Sequence, residues 1–147
     1  MRRAGALVAG FILAAAFGCS SVTPVTIQAG DVCESCRRPI ENVKIAAEVV
    51  LPAGQLPLKF RTVSCMARYL HEHGTTQGEV FVTDYSTSRL IQARSAMFVK
   101  SEISPDSKEL DYFAFSDVRA AVEFGRKNGG SATDWPAIRQ RIAAGTN

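Results

Sequence analysis

Cys33-Glu34-Ser35-Cys36 sets two sulfurs two residues apart, a spacing that lets both reach one ion from a single tight turn. Arg37-Arg38-Pro39 and Glu41-Asn42 follow directly and discourage a continuous helix, which argues against a thioredoxin-like redox motif, since that motif opens a helix after a strand. A Cys33–Cys36 disulfide is the alternative reading of the pair. Cys65 supplies a third sulfur in the first turn of an expected helix, where unpaired backbone N–H groups and the helix dipole favour a thiolate, though a plain buried thiol is the commoner fate of such a cysteine. Met66 lies beside it on the apolar stripe of that helix, either packing in the core or offering a thioether. Three sulfurs and a thioether would prefer Cu(I), with zinc the lesser candidate, because soft ligands select soft ions. His71 and His73 are two apart on the same helix, point away from each other and suit its negative C-terminal end rather than a shared ion. Met97 falls in a strand and reads as core. Ser/His/Asp groupings, phosphate-cradling glycine loops and paired-carboxylate motifs do not stand out, so the chain reads as no enzyme.

These sulfurs need elements to position them. Lys44 to Leu51 alternates like a strand, Pro52-Ala53-Gly54 turns the chain, and Leu56 to Arg61 reads as its hairpin partner. Thr62 or Ser64 can cap a helix whose Val63, Met66, Ala67 and Leu70 share one face, with Gly74 ending it and a strand from Glu79 to Tyr85 after it. The second half repeats the order: a strand over about Ala93 to Lys100, a turn at Ser104 to Asp106, and a strand from Leu110 to Phe115. A helix capped by Ser116 follows, with Val118, Ala121, Val122 and Gly125 on one face and Gly129-Gly130 as its stop. A short closing helix from Asp134 would dock through Trp135, Ile138 and Ile142. Laying the halves over each other matches Phe60 with Phe115, Val63 with Val118, Tyr69 with Phe124 and Gly74 with Gly129. Thr83-Asp84-Tyr85 then matches Thr133-Asp134-Trp135 after a five-residue slip. The expectation is an α+β fold of two tandem ββαβ-like units, about 31–88 and 89–147, packed as one small domain. Cys65-Met66 face Ala120-Ala121 in this match, so only the first unit carries soft ligand atoms.

Met1-Arg2-Arg3, the apolar run Ala4 to Phe17 and Gly18-Cys19-Ser20 have the layout of a secretory signal; a run of 14 residues falls short of a spanning helix. The cysteine after the small residue points to a lipoprotein signal over residues 1–18, with lipid carried on Cys19 and a tether over 19–30. Ser20 leans towards outer-membrane sorting. The 129 residues after Gly18 suffice for one domain with a real core. Without the leader's two arginines, 15 basic and 14 acidic side chains nearly cancel, which gives no footing for nucleic acid. In an oxidising envelope compartment three cysteines cannot all pair within one chain, so one stays free or a metal holds the set.

Asp31-x-Cys33-x-x-Cys36, Phe60 ahead of Ser64-Cys65-Met66 and Tyr69-Leu70, Val82-x-Asp84-Tyr85, the stretch Ile91 to Val99, and Ala114-Phe115, Ala120 and Gly129-Gly130 together resemble the NosL family over Asp31 to Trp135. The resemblance implies tandem ββαβ-like units and a lipoprotein that binds Cu(I) and helps supply copper to nitrous-oxide reductase. Two departures shift the ligand set. Arg38 stands where the family usually has a methionine, and Ser104-Pro105-Asp106 lacks a second one; Gln92 also replaces the usual Asp. The metal role then rests on Cys33, Cys36, Cys65 and Met66. The expected function is a periplasm-facing, lipid-anchored copper chaperone or accessory protein for a cuproenzyme such as nitrous-oxide reductase. The alternatives are a non-catalytic envelope lipoprotein with a structural disulfide, and a thiol–disulfide exchange protein.

Overall fold

A computed structural model describes residues 22–52, 55–74 and 78–146; the leader and Cys19 lie outside the described residues. Each half opens with a turn of 3-10 helix, Val43–Ile45 and Ala93–Ser95. From the first turn run β1 (Ala47–Val50) and β2 (Leu58–Phe60), then α1 (Val63–Glu72) and β3 (Glu79–Thr83), with Ala47 opposite both Phe60 and Val82. A short β4 (Leu90–Gln92) pairs with β3. The second turn leads to β5 (Met97–Ser104) and β6 (Ser107–Phe115), then α2 (Val118–Asn128) and β7 (Ala132–Thr133), with Met97 opposite Phe115 and Phe98 opposite Thr133. The two antiparallel sheets have the orders β2-β1-β3-β4 and β6-β5-β7, so the first three strands of each repeat one arrangement. The helix α3 (Trp135–Ala143) closes the chain. Among the described residues no helix is long and apolar enough to cross a membrane.

The units meet through shared apolar surface, side-chain hydrogen bonds and a backbone junction at the end of β3. Tyr85 N–H donates to the Ala114 carbonyl (2.8 Å), and Asp84 bridges Ala114, which ties the end of β3 to β6. Ala47, Val49, Phe60 and Val82 of the first sheet join Phe98, Tyr112 and Ala114 of the second in one core, closed by Val63, Met66, Ala67 and Leu70 of α1 and by Trp135, Ile138 and Ile142 of α3. The other face of the second sheet packs Val99, Phe113 and Phe115 against Ala121 and Phe124 of α2.

Several elements differ from the sequence expectation. Asp117, not Ser116, caps α2, accepting from Arg119 N–H; the Ser116 hydroxyl donates instead to Asp84. Val118 and Val122, placed on the buried face, are exposed at 55% each, because Phe124 and Gly125 turn the packed face of α2 away from them. The strands expected from Lys44 and Ala93 start at Ala47 and Met97, since the 3-10 turns occupy their first residues, and β5 runs on to Ser104. Leu90 to Gln92, assigned to the second unit, pair with the first sheet.

Gly125 and Gly130 bring α2 against β5. A Cβ on Gly130 would sit 2.6 Å from the Lys100 carbonyl oxygen, and one on Gly125 would sit 2.5 Å from the Gly130 carbonyl oxygen. Neither obstacle is a flexible side chain. Gly130→Ala is therefore expected to destabilise the protein by about 1–3 kcal/mol, read as a lower urea midpoint at unchanged slope.

Residues 25–30, expected to be tether, lie on the body. Ile27 is buried with Ile40 and Ala46, Val25 N–H donates to Glu48 (2.6 Å), and Lys59 Nζ donates to the Thr26 carbonyl (3.2 Å) and to Asp31 (2.6 Å). The packed structure thus starts upstream of Asp31. Burial raises the Glu48 carboxyl above its usual range; the Val25 N–H and Lys59 pull it back, and Asp31 adds to the rise. A folded value above the unfolded one means that this group's stabilising contribution is present in acid and lost as pH climbs through the folded value. Glu48→Gln keeps an acceptor for Val25 and removes the charge. It is expected to unfold at higher urea than the parent at neutral pH, with the gap closing towards pH 4.5, the carboxyl's ordinary value. A constant gap across that range would contradict this account.

Candidate metal centre

The cysteine pair sits in a tight reversal. Val32 bridges Pro39, Cys33 N–H donates to the Arg38 carbonyl (2.9 Å), and Arg37 N–H donates back to the Cys33 carbonyl (2.9 Å). Arg37 takes a left-handed backbone (φ 59°) to close it. Glu34 N–H donates to the Lys59 carbonyl (2.8 Å), which fastens this turn to β2. The same strand ends at Phe60 and passes through Arg61 into α1, where the Thr62 hydroxyl accepts from Cys65 N–H (3.2 Å) as the helix cap. Asp111 of β6 reaches the same end of α1 and accepts from Ser64 N–H (3.0 Å). Loop and helix are thereby held by one strand, and their sulfurs converge.

The sulfurs of Cys33, Cys36 and Cys65 lie within 4.8 Å of one another, the one such gathering of three or more His, Cys, Asp or Glu side chains among the described residues. Cys65 Sγ is 3.9 Å from Cys36 Sγ. Cys33 and Cys65 are buried, Cys36 is half-buried, and all three are free thiols, so the alternative of a Cys33–Cys36 disulfide is not the state seen.

Electrostatics separates the three. Burial pushes the Cys65 thiol up to about 12, against the Thr62 hydroxyl, and its two sulfur neighbours add to the rise. The helix terminus expected to favour a Cys65 thiolate is outweighed by desolvation. Burial also pushes Cys36 up, but the Arg38 backbone N–H, hydrogen bonds from Cys33 and Cys65 and the Arg61 guanidinium outweigh it and hold Cys36 below the ordinary thiol range. Cys65 thus acts as donor to a more acidic Cys36. A thiophilic ion entering such a set displaces protons and takes their place between the sulfurs.

Met66 is fully buried with Val63 and Leu70, in the same core as Cys33 and Cys65. The histidines are exposed; the His73 ring stacks on Tyr69 (4.1 Å) with Nδ1 3.0 Å from the Tyr69 carbonyl at the helix end, and neither histidine joins the sulfurs. Met97 packs in the second unit's core. Arg38 favours the Cys36 thiolate through its backbone N–H, and the charge beside it comes from Arg61. Sequence reasoning missed Arg61, although a charged residue wedged between core Phe60 and cap Thr62 was the available signal. In the second unit Ala120 and Ser116 occupy the places of Cys65 and Arg61, and among the described residues no such cluster lies there.

Fold and site together describe a small two-unit α+β protein that gathers three cysteine sulfurs from a tight turn and a helix N-terminus into one cluster. The chain belongs to the NosL family, whose model matches residues 24–143. The crystal structure of the copper chaperone NosL from Shewanella denitrificans shares the fold, at a TM-score of 0.64 and 23% identity over 80% of this chain and 98% of that one. Comparison with curated protein sequences gives no match.

Proposed function

We propose that this protein holds Cu(I) as cargo between Cys33, Cys36 and Cys65 and hands it to a cuproenzyme, acting as a copper chaperone with no turnover chemistry of its own. The observation that carries the reading is the convergence of three free sulfurs within 4.8 Å, two of them buried, from separate elements. Soft donors select Cu(I) and zinc over hard ions. A structural zinc site takes four ligands, and among the described residues no His, Cys, Asp or Glu joins the three as a fourth. Three sulfurs suit the lower coordination number of Cu(I). Met66, buried in the same core as Cys33 and Cys65, is the further soft donor that this reading includes. Family membership and the copper chaperone that shares the fold lend support, and nitrous-oxide reductase is the acceptor that this reading proposes.

We further propose that residues 1–18 are a lipoprotein signal and that Cys19 carries the lipid, placing the domain at a membrane facing the periplasm, on the outer membrane by the reading of Ser20. Incorporation of an alkyne-tagged fatty acid that is lost in Cys19→Ala is the expected result; equal labelling of both would remove the anchor from the picture.

Anaerobic Cu(I) titration of the reduced protein against a colorimetric chelator tests the main reading. Tight one-to-one binding is expected, with Met66→Leu weakening it less than the loss of any cysteine, since that exchange keeps volume and removes only the thioether. Chelator that strips copper equally from the parent and from Cys33→Ser/Cys36→Ser would end the proposal.

A further inference from the structure

Arg61 is a cation in an unusual place. It follows Phe60 at the end of β2, directly before the cap of the helix that carries Cys65, and two residues after Lys59, whose carbonyl holds the cysteine turn. Its side chain is only 14% exposed, and Nη2 is clamped to Glu109 of β6, on the other unit (2.5 Å). Its Nε is buried and has no hydrogen-bond partner. A desolvated guanidinium donor left without an acceptor is disfavoured unless some state of the protein supplies negative charge beside it. The one anion in contact, Glu109, is itself 43% exposed and is engaged by Nη2 alone. Arg61 also lines one cleft of about 300 Å³ with Glu109 and with Arg38, the residue whose carbonyl accepts from Cys33 N–H.

We propose that Arg61 is the counter-cation of the thiolate centre and biases it towards a monovalent ion. The inference rests on the reading that Cys33, Cys36 and Cys65 bind Cu(I). Three thiolates around a monovalent ion leave two net negative charges, and around a divalent ion one; the attraction of a fixed positive charge scales with that number. Arg61 therefore stabilises the Cu(I) form about twice as strongly as a Zn(II) or Co(II) form. Glu109 holds the guanidinium in position and, as a competing anion, weakens its pull on the sulfurs.

The test compares Cu(I) and Co(II) affinities of the full chain with those of Arg61→Met, Arg61→Lys and Glu109→Gln, by anaerobic chelator competition, alongside thermal unfolding of the metal-free forms. Arg61→Met is expected to weaken Cu(I) binding roughly tenfold to a hundredfold and Co(II) binding by at most about the square root of that factor. Arg61→Lys, which keeps the charge, should recover most of the Cu(I) affinity even where Arg61→Met folds poorly. Glu109→Gln should leave Cu(I) affinity unchanged or raise it. Equal losses for the two ions, or Glu109→Gln weakening copper as Arg61→Met does, would make Arg61 a structural clamp between the units and overturn the inference. Failure of the parent protein to bind Cu(I) overturns the copper reading and this inference with it, whereas normal copper binding in Arg61→Met overturns this inference alone.

Discussion

Cys65→Ala is expected to lower Cu(I) affinity by more than about 100-fold, a larger effect than outer-shell substitutions produce, and to do so without unfolding the protein. Cys65 is the sulfur that turns a two-residue clip into an enclosed site. Cys33 and Cys36 sit in one turn, and a metal held by them alone would be open on the side that α1 closes. The N–H of residue 65 still reaches the Thr62 hydroxyl in the variant, so the helix start is kept, and the side chain removed is small. Chelator competition reads the affinity and urea unfolding reads the fold. A variant that loses copper with an unchanged urea midpoint is the expected pair of results; copper retained at parental affinity would place Cys65 outside the site. Thr62→Ala makes the complementary change, costing about 1 kcal/mol through the lost cap while all three sulfurs remain.

Phe98→Ala is expected to cost about 3–5 kcal/mol, the range for truncating a fully buried aromatic, against a typical domain stability of only about 5–15 kcal/mol. Phe98 is fully buried on β5, lies 6.2 Å from the Trp135 ring, and is opposite Ala114 on one side and Thr133 on the other. It therefore meets the second sheet, α3 and the shared core at one point, and its removal leaves a cavity that several rigid elements would have to close together. Urea unfolding of the metal-free protein should show a much lower midpoint. A loss below about 1 kcal/mol would mean that the core collapses around the gap.

Much of this was legible in the residues. The stripe Val63, Met66, Ala67, Leu70 and the closing set Trp135, Ile138, Ile142 are buried as their spacing requires, because helix periodicity is local. The tandem organisation was legible too, since cap and glycine stop recur in register and the terminal aromatics after a five-residue slip. Three features needed the third dimension. Val118 and Val122 fit a helical stripe as well as Phe124 and Gly125 do, and only the tight approach of Gly125 to Gly130 decides which side faces β5. Ser116 and Asp117 are both competent caps, and the choice follows from Asp84 claiming the serine. At the site, residue types and spacing pointed to the cysteines, but desolvation of Cys65 and the charge of Arg61 depend on neighbours from β6 and the cysteine turn, distant along the chain.

The docking of Val25 and Ile27 onto the first sheet sets a limit on reach. With lipid on Cys19, as proposed, only the six residues up to Val25 separate the anchor from the packed body, at most about 20 Å even when fully extended. A tether free as far as Asp31 would allow about twice that. The strap passes Lys59, whose carbonyl also fastens the cysteine turn, so with such an anchor the sulfurs would be leashed close to the lipid surface. An acceptor enzyme would have to present its own site at the membrane face, and lengthening the chain between Cys19 and Val25 should change which acceptors can be served without altering the affinity for the metal.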